Sequence, residues 1–352
     1  MKRTKTISTI ILIVSLLALT LVGCGKTSEV NSQAQNDSAQ TGSKPEVINI
    51  AIQAIPNDEI VAKAKNWYES ELGVKVNFRQ FDSGRDVNTA MLSGGIDIGL
   101  VGSTPATLGI ANGIPYEVFW IHDVIGDNEA LAAKNDAKIN SVKDLKGKKV
   151  AVPAGSTTHY SLLKVLSLEG VNAADVKILD MQPPDIFAAW QRGDIDAAYV
   201  WQPTLDKLLS DGKIIVTSKE LAGKGIVTAD VGIVRTEFAE KYPDLVKKYI
   251  QLQLKAYDLY QNNAEEAAQA VAKELNLEYD DSLKQMNELI WLSGEEQISD
   301  KYLGTSTSKG EFVKALKDTA DFLAEQKTID SAPGIEVFEK AVNPKYIEEA
   351  LK

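Results

Sequence analysis

The sequence predicts an α/β protein of two similar lobes with a helical C-terminal region. Three observations carry this. Strand-like and helical segments alternate from Val47 to Val200, and strands separated by helices imply a mostly parallel sheet covered on both faces. One pattern occurs twice, as Gly94-Gly95-Ile96-Asp97-Ile98 leading to Pro105 and as Gly193-Asp194-Ile195-Asp196-Ala197 leading to Pro203. Roughly 300 residues follow the N-terminal leader and its tether, long for one core and suited to two.

The chain opens with Lys2, Arg3 and Lys5, then an apolar run over Ile7 to Val22 that ends in Leu21-Val22-Gly23-Cys24. The run is short for a membrane span. Its end resembles the lipobox of bacterial lipoproteins, in which the peptide is cut before the Cys and the sulfur carries a lipid. Residues 1–23 are therefore expected to be a signal peptide, and Cys24, the only Cys in the chain, the lipidation site. That places the protein outside the cytoplasm, anchored to the cell membrane by lipid. Residues 24–44, rich in Ser, Gln, Asn and Thr, cannot bury enough apolar surface to fold and read as a flexible tether.

The folded part follows in order. Val47–Ile52 alternates as a strand, Asp58–Leu72 has helical spacing, Val74–Phe78 is a strand and Val87–Leu92 a helix. Ile96–Val101 is a buried strand, Ser103-Thr104-Pro105 opens a helix with Pro early in its first turn, and Tyr116–Ile121 is a strand. The pattern restarts with strands at Ala130–Ala133 and Lys149–Val152 around a short helical Val142–Leu145. A helix over His159–Leu168, a strand at Val176–Leu179, a helix over Asp185–Gln191 and a strand at Ile195–Val200 complete it. From Asp244 the chain reads as helix almost to Leu351, with one long amphipathic stretch from Asp244 to Leu275.

Cleavage before Cys24 removes three basic residues and no acidic ones, leaving 35 basic against 49 acidic, a net charge of −14. A surface of that sign argues against a nucleic-acid partner. The two His, His122 and His159, have no metal-ligand spacing, and neither HExxH, CxxC nor G-x-S-x-G occurs. No acid–base pair or activated nucleophile is organised for catalysis. We expect no enzyme, cofactor or metal. Two hydroxyl-rich helix mouths stand out: Ser103-Thr104, and Thr157-Thr158-His159 after Ser156. Free N–H groups and hydroxyls there can hold an anion, while either mouth alone is better explained by simple N-capping; it is the pair, one in each half, that points to an anion held from both sides. Asp97 and Asp196 read as loop ties, Trp120 and Trp190 as core, and His122 fits no ligand pattern.

Phe81-Asp82-Ser83-Gly84, Gly102-Ser103-Thr104-Pro105 and Asn128-Glu129-Ala130-Leu131 resemble segments of the taurine-binding proteins of ABC importers. The most specific blocks are Ser156-Thr157-Thr158-His159-Tyr160-Ser161-Leu162-Leu163, Leu179-Asp180-Met181-Gln182-Pro183-Pro184 and Ala188-Ala189-Trp190-Gln191-Arg192-Gly193-Asp194-Ile195-Asp196. The resemblance runs from about Val47 to Pro243. It implies a type II periplasmic-binding-protein fold, with lobe 1 formed by 45–128 and 230–352 and lobe 2 by 129–229. It further implies a monomeric receptor that captures taurine in a ligand cleft between the lobes and delivers it to ABC permease subunits. Ser103, Thr104, Thr157, Thr158 and His159 would face the sulfonate, Glu129 and Asp230 the ammonium, and Gln53 and Trp201 the cleft wall. Where the family usually carries an aromatic after its Leu-Asp-Val, this chain has Ala229-Asp230-Val231-Gly232, which leaves room for a larger ligand. The alternatives are an alkanesulfonate or other organic-anion receptor, or an enzyme on the same fold.

Overall fold

The computed structural model describes residues 44–352, so the leader, Cys24 and most of the tether lie outside the described residues. Ten strands form two five-stranded sheets. The first contains β1 (Val47–Ile52), β2 (Lys75–Gln80), β3 (Ile98–Gly102), β4 (Tyr116–Val124) and β10 (Ala229–Arg235) in the order β2-β1-β3-β10-β4. The second contains β5 (Glu129–Lys134), β6 (Lys149–Val152), β7 (Lys177–Asp180), β8 (Ala197–Trp201) and β9 (Gly212–Thr217) in the order β7-β6-β8-β5-β9. Each sheet has three parallel strands on one side and one strand antiparallel to both its neighbours, β10 in the first and β5 in the second. The antiparallel strand is in each case the first to enter its sheet after the chain crosses over, between Val124 and Glu129 and again between Thr217 and Ala229.

The repeated Gly-x-Ile-Asp pattern is a structural equivalence. Gly94 and Gly193 both turn with left-handed φ, 72° and 75°, a conformation open to glycine at no steric cost. The next residues, Gly95 and Asp194, donate backbone N–H bonds to Ala90 and Ala189. Asp97 and Asp196 then accept from the backbone N–H of Asn49 and Lys149, at the starts of β1 and β6. Both Asp tie strands together, as the sequence predicts. β3 and β8 emerge from these turns fully apolar and almost wholly buried.

Two helices predicted as continuous are broken. Asp58–Leu72 is split at Asn66, whose φ of 57° is left-handed; Asn tolerates that region because its side chain can bond locally. Asp244–Leu275 is split at Asn263, whose side chain accepts from Glu266 N–H and caps a second helix. Strands β9 and β10 and the short helices Thr204–Leu209 and Ser218–Ala222 were not predicted.

One large core packs the C-terminal helices against the first sheet around Phe119, Trp120, Tyr249 and Phe338. Two smaller cores cover the faces of the second, around Leu162 and Tyr199 and around Ile186 and Trp190. The helix Glu311–Glu325 serves both lobes: Phe312, Val313 and Leu316 enter the first core, Phe322 and Leu323 the second. No helix among the described residues is long and apolar enough to cross a membrane.

Candidate functional site: a cleft between two helix mouths

The helix Ser103–Ala111 starts where β3 ends, and the helix Thr157–Leu168 follows β6 after one turn. Strand ends in open α/β sheets are where ligands gather. The two mouths face each other at contact distance. A Cβ placed on Gly102 would come within 2.7 Å of Thr157 Cγ2. One cavity between them is lined by Gln53, Ile55, Gly84, Gly102, Pro105 and Asp230 on one side and by Glu129, Ser156, Thr157 and Trp201 on the other. About 20 Å³ of it is accessible to the centre of a water molecule, room for a water but not for an organic ligand.

Of the residues read from the sequence, Gln53, Glu129, Thr157, Asp230 and Trp201 meet on this wall. Gln53 is buried and its amide donates to Leu100 O at 3.1 Å. Thr157 Oγ1 donates to Glu129 Oε1 at 2.6 Å, and Ser218 Oγ donates to Oε2 at 3.4 Å. The other four sit beside the cavity, outside its lining. Ser103 Oγ accepts from Ala229 N–H. Thr104 is buried with its hydroxyl unpartnered. Thr158 Oγ1 shares a 2.7 Å bond with Ser156 Oγ, which also caps the helix by accepting from His159 N–H. The His159 ring accepts from Gly155 N–H; burial lowers its pKa, with Asp180 opposing.

The structure adds a group that sequence reasoning missed. Asp58, Glu59, His122 and Asp123 are buried behind Asp230. His122 Nδ1 lies 2.6 Å from Asp58 Oδ1, and Trp120 Nε1 donates to Asp58 Oδ2 at 2.8 Å. Tyr249 OH donates to Glu59 at 2.7 Å, and Asn57 Nδ2 donates to Asp123 Oδ1 at 3.2 Å. His122 is thus a hydrogen-bond partner of Asp58 in the core, outside the lining of the cavity. The available signal was His122-Asp123 near the end of a nine-residue strand whose only other charged residue is Glu117, facing Asp58-Glu59 at the head of a helix.

Carboxyl groups withdrawn from water resist ionising. Burial, reinforced by Asp230, raises Glu129 to about 8 despite its two hydroxyl donors. Burial raises Asp230 to about 7, with His122 opposing and Asp58 adding. Burial also lifts Glu59 to about 7 and, with Asp230 beside it, pushes Asp123 well above the carboxylate range. For His122, burial pulls the pKa down, but Asp58, with Glu59 and Asp230, outweighs it and holds the imidazole above its usual value. The site thus pairs an N–H and hydroxyl mouth suited to an anion with carboxyl groups that a cation would favour as carboxylates.

Two α/β lobes flanking such a cleft are an architecture that suits a solute-binding protein. Residues 58–267 match the family described as NMT1/THI5 like. The taurine-binding periplasmic protein of Escherichia coli is 37% identical over 79% of this chain and 86% of its own length. A putative aliphatic sulfonates-binding protein of Bacillus subtilis is 30% identical over 97% and 96%. The alkanesulfonate-binding protein SsuA of Xanthomonas axonopodis pv. citri, solved with MOPS, superposes with a TM-score of 0.69 at 21% identity, covering 85% of this chain and 99% of that one. The chain belongs to this family of periplasmic taurine- and sulfonate-binding proteins.

Proposed function

We propose that the protein captures taurine, 2-aminoethanesulfonate, in the interlobe cleft and delivers it to the permease of an ABC importer. The observation that carries this is the meeting of Glu129 and Asp230 with the Thr157 helix mouth on one cavity wall. A sulfonate spreads one negative charge over three weakly basic oxygens, which suits backbone N–H groups and hydroxyls. An ammonium taken out of water must meet carboxylates to offset its lost hydration. Lobe 1 is 45–128 with 230–352 and lobe 2 is 129–229. Gln53 and Trp201 shape the wall, and Ser103, Thr104, Thr158 and His159 support the two mouths from just behind it. The protein acts as a monomeric receptor, not an enzyme, held to the membrane by lipid on Cys24. C24A is expected to release it into the soluble fraction, and membrane fractionation unchanged by that substitution would contradict the anchor.

The second reading is an alkanesulfonate receptor, favoured by the aliphatic-sulfonate relative that matches nearly the whole chain. A thermal-shift screen of small sulfonates and zwitterions separates the two. Taurine should raise the melting temperature at concentrations where ethanesulfonate does not. The reverse order supports the second reading.

A further inference from the structure

We infer that Asp123 is a positioning and specificity residue behind the ammonium site. Its carboxyl group holds a proton in the ligand-free protein and releases it to solvent when an ammonium seats against Asp230. Zwitterions are then taken up with proton release, and plain sulfonates are not. The inference rests on the zwitterion reading above and deepens it.

Asp123 and Asp230 stand directly opposite each other on β4 and β10, so their side chains share one face of the sheet. Asp230 reaches the cavity wall. Asp123 is fully buried, with one oxygen on Asn57 and the other, Oδ2, without a partner. A bare buried carboxylate oxygen beside a second carboxylate is costly, and a proton on one of them removes the cost. The groups facing this pair come from every neighbouring element. They are Asp58 and Glu59 from the helix Asp58–Ala64, His122 from β4, Glu129 from β5, and Tyr249 from the helix Pro243–Asn262. His122 is the one basic group among them, and its hydrogen-bonded nitrogen is committed to Asp58. The cluster therefore lacks the positive charge needed to keep both Asp123 and Asp230 ionised. An ammonium supplies it, and the Asp123 O–H proton then leaves for solvent. A sulfonate without an amine brings a further negative charge and favours keeping the proton.

Titration calorimetry near neutral pH, in phosphate and in Tris, counts the protons, because the two buffers take up protons with different enthalpies. Wild-type protein should release on the order of one proton per taurine bound and none with ethanesulfonate. D123N should release clearly less with taurine, and its rise in taurine affinity from pH 6 to 8 should flatten. A merely structural role would weaken binding equally at each pH and leave the count unchanged. Taurine binding to wild type without proton release, or an equal count in D123N, overturns the inference while the zwitterion reading stands. Wild type that binds ethanesulfonate but not taurine overturns both. D123S provides the same comparison if D123N does not fold.

Discussion

Glu129 and Asp230 are buried, and burial disfavours their charged forms. Their folded pKa values, about 8 and about 7, lie above the roughly 4 of an unfolded carboxylate. The folded state therefore binds protons more tightly. The stabilisation this gives is complete below the unfolded pKa and is lost as pH rises through the folded one. Glu59, at about 7, adds in the same direction. The melting temperature of the ligand-free protein should fall between pH 5 and pH 8, and saturating taurine should shrink that fall; a midpoint flat or rising across the window would contradict the account. The family resemblance pointed to Gln53, Glu129, Thr157 and Asp230, and these four line one cavity. Asp58, His122 and Asp123 were not legible. Periodicity shows which faces are apolar, and a charged residue at a strand end reads as exposed until a buried partner is seen.

The elements that matter are two helix starts, and Gly102 sets how closely they approach. Its φ of −66° is one that any residue adopts, so a methyl group costs lobe 1 no backbone strain. Across the cleft, however, the new Cβ would meet Thr157 Cγ2 at 2.7 Å. G102A should leave folding intact and prop the lobes apart. Taurine binding should weaken by about 1–3 kcal/mol, the usual scale of an overpacked contact, or roughly five- to a hundredfold in affinity. Unchanged affinity would show that the mouths need not touch when ligand is held. Regular elements were easier to read than these contacts. β1, β3 and β8 follow from alternation or continuous burial, but β10 hides because Asp230, Gly232 and Arg235 interrupt its apolar run. A Cβ at Gly232 would sit a tight 3.2 Å from Phe119 and Trp120. The breaks at Asn66 and Asn263 escaped notice because each lies inside a pattern that is amphipathic on both sides.

Across the whole molecule, side-chain contacts join the lobes at both flanks of the cleft. On one, Arg85 pairs with Asp180 at 2.8 Å, and Gln182 donates to Ser83 and Asp86 at 3.1 Å. On the other, Lys284 pairs with Asp206 at 2.6 Å, and Gln202 donates to Glu288 at 2.9 Å. The exposed Arg85–Asp180 ion pair contributes about 0–1 kcal/mol, a scale that biases a two-state equilibrium without locking it. Taurine should therefore reduce the radius of gyration in small-angle scattering, and R85A should enlarge the ligand-free value with little change in melting temperature. Superimposable scattering curves with and without bound taurine would rule out closure. The central claim is that the cleft reads both charges of its ligand, and calorimetry of wild type and D230N with taurine and ethanesulfonate tests it most directly. Wild type should prefer taurine. D230N should lose about 2–5 kcal/mol of taurine binding, roughly thirtyfold to several thousandfold, with ethanesulfonate affinity little changed. Equal wild-type affinity for the two ligands, or equal losses of both in D230N, would contradict the claim.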